Sequence, residues 1–125
     1  MIKLSPNLFV TSVKESIAFY DKFGFKTEQV VPDAENPIWA SVASGDVEIM
    51  LQDKDSGMQE FSPLSGKPLG ATLTLFMKTE NLDDNYTTAK SNNFKIVNDL
   101  HKTFYGTREF AVQDPDGYIC VFAER

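Results

Sequence analysis

Apolar residues along this chain change period from two to about four and back, and then repeat the cycle. Residues from about Ile2 to Val10 alternate loosely between branched or aromatic and polar side chains, which predicts a strand. In SVKESIAFYDKFGF, Val13, Ile17 and Tyr20 fall on one helical face. Ser12 and Glu15 match the capping box Ser-x-x-Glu, and Gly24 supplies a left-handed stop, so the spacing predicts one short amphipathic helix. Three strand-like runs follow, FKTEQVV, IWASVAS and VEIMLQ, parted by the turn residues of PDAENP and by Gly45-Asp46. The first half therefore reads β-α-β-β-β.

From Asp53 to Gly70 the text becomes rich in Gly, Pro, Ser and charge, with Phe61, Leu64 and Leu69 as its apolar anchors. It reads as a long loop, and a loop of that length links or covers something. Beyond it the order recurs: a strand ATLTLFMK, a helix opened by Asn81 and ended near Asn93, then FKIVN, REFAV and YICVFAE. Ser12 and Asn81 stand 69 positions apart, as do Gly24 and Asn93, and Phe25-Lys26 maps onto Phe94-Lys95 at the same offset. Matching caps, stops and following residues argue for two copies of one module. The expected fold is α+β, one domain of residues 1–125, with module one at about 1–52, a linker at 53–70 and module two at 71–125. A lone β-α-β-β-β sheet leaves one face unfilled, so two tandem modules are expected to form a curved mixed-sheet cup.

Composition narrows the function classes. The chain has 125 residues, 42% of them hydrophobic, which is enough for one core and too few for two independent domains. Its 12 Lys and Arg against 18 Asp and Glu leave a net charge of −6 with no basic cluster, which argues against nucleic acid as a partner. Cys120 is the single cysteine and excludes an internal disulfide. No apolar run is long enough to cross a membrane and the N-terminus lacks a signal-peptide pattern, so a cytoplasmic location is expected.

Three stretches, LFVTSVKESIAFYDKFGFK, SGDVEIMLQ and YGTREFAVQDPDGYICVFAER, together with the duplicated order, resemble the glyoxalase, bleomycin-resistance and extradiol-dioxygenase superfamily, also called vicinal oxygen chelate proteins. In its metal-using members, the first and last strands of each module supply His, Gln or Glu. On the family's spacing those positions fall here on Ser5, Met50, Thr74 and Val121. Divalent transition metals want convergent imidazole, thiolate or carboxylate groups, so no metal and no cofactor is expected. A shifted register offers Asn7 and Glu48, with Thr72, Phe76, Ile119 and Ala123 in the second module, which do not complete a site. His101, the only histidine, lies outside the expected ligand strands.

The acids of Asp114-Pro115-Asp116-Gly117 suggest chemistry, but the string has a plain turn reading: Pro presets φ, Asp caps its own turn and Gly accepts positive φ. Alternation places Cys120 opposite Val121, as a buried structural thiol. No Gly-x-Ser-x-Gly or second histidine supports a hydrolase triad. What remains is an apolar cup. The resemblance points Ser5, Asn7, Glu48, Met50, Thr72, Thr74, Phe76 and Val121 toward it, with Trp39, Phe61, Tyr105 and Arg108 at its rim. Aromatic walls with a few hydrogen-bonding groups suit a flat organic molecule; Trp39 and Phe76 have an equally simple reading as core. Glu48, unpaired in such a cup, would call for a cationic partner or polar ligand.

The ligand-binding set is thus Trp39, Glu48, Met50, Phe61, Thr74, Phe76, Tyr105 and Arg108, with no catalytic residue. The reading is a non-catalytic small-molecule binder of the metal-free bleomycin-resistance branch, its ligand aromatic and cationic or antibiotic-like. The resemblance implies a homodimer. The alternatives are a metal-dependent lyase, isomerase or dioxygenase, and a regulatory domain whose cup is filled by its own side chains.

Overall fold

A computed structural model describes all 125 residues. The chain divides into two compact units, Met1–Leu69 and Gly70–Arg125. The first contains β1 (Asn7–Val10), α1 (Val13–Asp21), β2 (Lys26–Val31), β3 (Trp39–Ser44), β4 (Val47–Asp53), α2 (Lys54–Glu60) and a 3₁₀ turn at Ser62–Leu64. The second contains β5 (Thr74–Thr79), α3 (Leu82–Ser91), β6 (Ile96–Lys102), β7 (Arg108–Gln113) and β8 (Ile119–Glu124). Each unit holds a four-stranded sheet, in the orders β1-β4-β3-β2 and β5-β8-β7-β6. In both, the first strand runs parallel to the last and the remaining pairs are antiparallel. The expected α+β class with duplicated mixed sheets is what the chain forms.

The repeat extends to individual hydrogen bonds at the helix ends. Phe25 N–H donates to the Tyr20 carbonyl at 3.1 Å and Phe94 N–H to the Ala89 carbonyl at 3.0 Å, the six-to-one bond of a Schellman stop. Between them Gly24 sits at φ +89° and Asn93 at φ +55°, the left-handed conformation each stop requires. The N-termini differ. Ser12 Oγ accepts from Glu15 N–H at 3.1 Å, as its capping box predicts. Asn81 makes no side-chain cap; Thr79 Oγ1 instead accepts from Asn81 N–H at 3.0 Å and donates to Asn85 Oδ1 at 2.7 Å.

Alternation gives each sheet one apolar face that packs under α1 or α3. In the first unit α1 buries Val13, Phe19 and Tyr20, and the sheet contributes Leu8, Val10, Ala40, Val42, Ile49 and Leu51, none more than 5% exposed. In the second, Tyr86 of α3 meets Phe110 edge-on at 5.3 Å, and Phe110 stacks on Phe122 at 5.2 Å. Cys120 is fully buried and shares the face of Phe110 and Phe122, as expected.

Two boundaries depart from expectation. The first strand begins at Asn7, not near Ile2; Met1, Ile2 and Leu4 are fully or almost fully exposed and bury no apolar surface against the sheet. The 53–70 stretch is not a loop throughout. Asp53 Oδ2 caps α2 by accepting from Asp55 and Ser56 N–H at 3.1 and 3.2 Å. Gly57, which reads as a breaker, is buried in that helix because a Cβ there would lie 2.5 Å from the Phe9 ring. The residue that hid the helix from view is the one that lets it sit on the sheet.

The Asp114–Gly117 turn is as read. Asp114, 5% exposed, accepts from Asp116 and Tyr118 N–H through Oδ1, each at 2.9 Å. Gly117 takes φ +93° and donates its N–H to the Asp114 carbonyl at 3.1 Å. Gly70 rests against this turn so closely that a Cβ would meet the Gly117 carbonyl carbon at 2.7 Å.

Candidate functional site

The face of each sheet away from α1 or α3 carries most of the candidate binding residues of the sequence. In the first unit, register sets Trp39 beside Gln52 and Gln52 beside Phe9, then Ser41 beside Met50 and Met50 beside Asn7, then Ala43 beside Glu48. Trp39, Glu48 and Met50 therefore share one face. Phe61 joins them from the segment after α2, its ring stacked on Phe9 at 6.4 Å. Helix α2 covers the Phe9 end of this face and leaves Trp39 and Met50 half-buried.

Polar groups on this face are organised in two clusters. Glu48 is not unpaired: Lys3 Nζ lies 2.9 Å from Oε2, and Ser5 Oγ donates to Oε1 at 2.8 Å. The Lys3 hydrogen bond, then that of Ser5, holds the Glu48 carboxyl below its ordinary value. Lys3 thus fills the role a cationic ligand was expected to play, which the sequence could not show because Lys3 precedes any regular element. The second cluster joins Asn7, Gln52, Ser56 and Glu60. Asn7 Nδ2 donates to Gln52 Oε1 at 2.8 Å, and Gln52 Nε2 donates to Ser56 Oγ at 3.1 Å and to Glu60 Oε1 at 3.0 Å. Gln52, Ser56 and Glu60 were absent from the candidate set; the alternation that singled out Glu48 and Met50 also reaches Gln52.

In the second unit, Thr74 and Phe76 of β5 share a face with Ile119 and Val121 of β8 and with Glu109 and Ala111 of β7. Phe76 is 52% exposed and Val121 9%. Tyr105, in the turn before β7, donates its hydroxyl to Glu109 Oε1 at 2.6 Å, which raises the Tyr105 pKa. Arg108, expected at the rim with Tyr105, lies instead on the helix-bearing face, because it precedes Glu109 by one residue and alternation reverses it. Its guanidinium forks onto Asp83 at 3.1 and 3.3 Å and also reaches Glu124 at 3.3 Å, and these acids, Asp83 first, raise its pKa. It borders a cleft of about 550 Å³ lined by residues 79–84, Arg108, Glu124 and Arg125, where Arg125 pairs with Glu80.

Register shows which neighbours the expected ligand positions have in this chain. Ser5 lies outside the ladder. Asn7 is the neighbour of Met50, and Phe76 rather than Thr74 is the neighbour of Val121. An amide, a thioether, a phenyl and an isopropyl group do not fit a divalent ion, and no group of three or more His, Cys, Asp or Glu side chains is placed to hold a metal ion elsewhere. His101 lies in β6, its Nδ1 2.8 Å from the Asp99 carbonyl oxygen. No helix is long and apolar enough to cross a membrane.

Duplicated β-α-β-β-β units, each with a four-stranded mixed sheet, define a class of two-module α+β protein. The family model of the Glyoxalase/Bleomycin resistance protein/Dioxygenase superfamily matches residues 4–122, and the chain belongs to that superfamily. Among solved structures it is similar to TioX from Micromonospora sp. ML1, with 16% identity, a TM-score of 0.77 and coverage of 99% of this chain and 98% of TioX. It is similar also to a bleomycin resistance determinant encoded on transposon Tn5, with 20% identity, a TM-score of 0.71 and coverage of 100% and 98%. A lactoylglutathione lyase from Agrobacterium tumefaciens gives 18% identity, a TM-score of 0.73 and coverage of 98% and 92%. A search of curated proteins finds no match. Identities at this level carry the fold, and the fold hosts both binders and enzymes.

Proposed function

We propose that the chain is a non-catalytic binder of small aromatic molecules, of the bleomycin-resistance type, which uses the face of its first sheet turned away from α1. The observation that carries this reading is the composition of that face: Trp39 and Met50 half-buried beside the amides of Asn7 and Gln52, with no set of side chains suited to a catalytic metal. Apolar walls with a few oriented polar groups recognise flat organic compounds. The likeness to a bleomycin resistance determinant supports a binder, and the likeness to a lyase keeps the enzyme as its rival. Because Lys3 neutralises Glu48, support for a cationic ligand reduces to the net charge of −6.

Trp39 is the only tryptophan, so its emission reports on this face. Titration with a panel of aromatic and heteroaromatic compounds, antibiotics included, is expected to yield members that change Trp39 emission and raise the melting temperature together. A stoichiometric, tightly held transition metal in the purified protein would overturn the reading in favour of the enzyme. Pairing of two chains in the cytoplasm belongs to the same proposal, supported by Leu73 and Phe76, which leave apolar surface on and beside the edge strand β5, 41% and 52% exposed. Sedimentation is expected to give twice the 14.0 kDa chain mass.

A further inference from the structure

We infer that Glu60 sets the hydrogen-bonding polarity of this face through a relay of two amides, so that the face selects ligands presenting an N–H or O–H donor. The inference rests on the binding reading above and specifies the ligand class for the same site.

The two ends of an Asn or Gln amide have nearly the same shape, and only the surrounding network decides which way each is turned. Here the network has one end that cannot be reversed. A carboxylate only accepts, and Glu60 Oε1 lies 3.0 Å from the Gln52 amide, so Gln52 presents its NH₂ to Glu60. That turns the Gln52 carbonyl toward Asn7, which answers with its own NH₂ at 2.8 Å. The Asn7 carbonyl oxygen is then left buried and without a partner. Gln52 is 7% exposed, so the middle of the relay is shielded from competing water. Asn7 stands beside Met50 and shares the face of Trp39. A buried acceptor without a donor is unfavourable, and a ligand that displaces the cover over Asn7 Oδ1 and supplies a donor relieves it. A ligand that offers only an acceptor meets a like group and is rejected, the asymmetry that gives polar sites their selectivity.

Phenol and anisole test this, since they share a ring and differ in whether the oxygen carries a donor. Their binding is read from the Trp39 indole N–H signal in NMR titrations. Phenol is expected to bind about tenfold more tightly than anisole, the range for one hydrogen bond to an otherwise unsatisfied group. In Glu60→Gln the new amide can donate to the Gln52 carbonyl, both amides can turn over, and the preference is expected to fall or reverse, although residue 60 is outside the ladder that carries Asn7 and Met50. Asn7→Leu is expected to abolish it. Equal binding of the two probes by the wild type, or an unchanged preference in Glu60→Gln, overturns the relay while leaving the small-molecule reading standing. Neutron diffraction of the deuterated protein decides the amide orientations without any ligand: Asn7 deuterons directed away from Gln52 overturn the relay outright. Deuterons placed as assigned, with neither probe moving Trp39, overturn the ligand class.

Discussion

Asp114 carries more of the turn before β8 than any neighbour, since one carboxylate oxygen accepts two backbone N–H groups from a nearly buried position. Asp114→Ala leaves both donors without that acceptor and is expected to cost about 1–3 kcal/mol, read as a lowered thermal midpoint. Asp114→Asn keeps one acceptor oxygen and is expected to cost less. Glu48 makes a second prediction at this scale. Its folded pKa is depressed by Lys3 and Ser5, so its contribution is complete above its ordinary value of 4.5 and is lost as pH falls through the lower folded value. Lys3→Met is expected to move the Glu48 titration upward, followed by NMR of its carboxyl carbon. An unmoved titration would show that Lys3 does not hold the carboxylate in solution. Asp114 was legible as a turn residue because Pro and Gly bracket it. The partners of Glu48 were not, because Lys3 and Ser5 lie 45 and 43 positions away in an irregular segment.

Helix α2 and the two helix stops set the predictions for elements. Gly57→Ala adds a methyl group where the Phe9 ring already lies at 2.5 Å, so either the ring or the helix has to shift. Although Ala is the better helix former, the substitution is expected to destabilise by about 1–3 kcal/mol, with faster hydrogen exchange confined to residues 54–60 and β1. Gly24→Ala forces a Cβ into the left-handed region and is expected to cost about 1–2 kcal/mol. The duplicated strands, both helices and both stops could be read because their signals are local: alternation, capping spacing and a left-handed residue. The α2 segment could not, since Gly, Ser and charge mask a helix whose glycine is demanded by a distant aromatic ring. Arg108 was misplaced for a related reason. The strand REFAV starts at Arg108 as expected, but which of its two faces carries α3 is decided only by its pairing with β8.

At the scale of the whole molecule, the binding proposal predicts insensitivity to metals. Adding EDTA, or Zn²⁺, Mn²⁺ or Ni²⁺ at stoichiometric amounts, is expected to leave the melting temperature unchanged, whereas a metal site in the folded chain would shift it by mass action. Membership of a superfamily that includes binders and enzymes leaves that measurement decisive.

The sequence by itself determined the duplicated α+β plan, the Ser12 cap and both stops, the turn at Asp114 and the burial of Cys120, because these follow from periodicity and local backbone preference. Only the tertiary structure decided which strand neighbours meet. It set Asn7 beside Met50 and Phe76 beside Val121, gave Glu48 its lysine, turned Arg108 to the helix-bearing side and joined Asn7 to Glu60 through Gln52. Pairing register and amide orientation are non-local: each depends on groups far apart in the chain that come within hydrogen-bonding distance only when it folds.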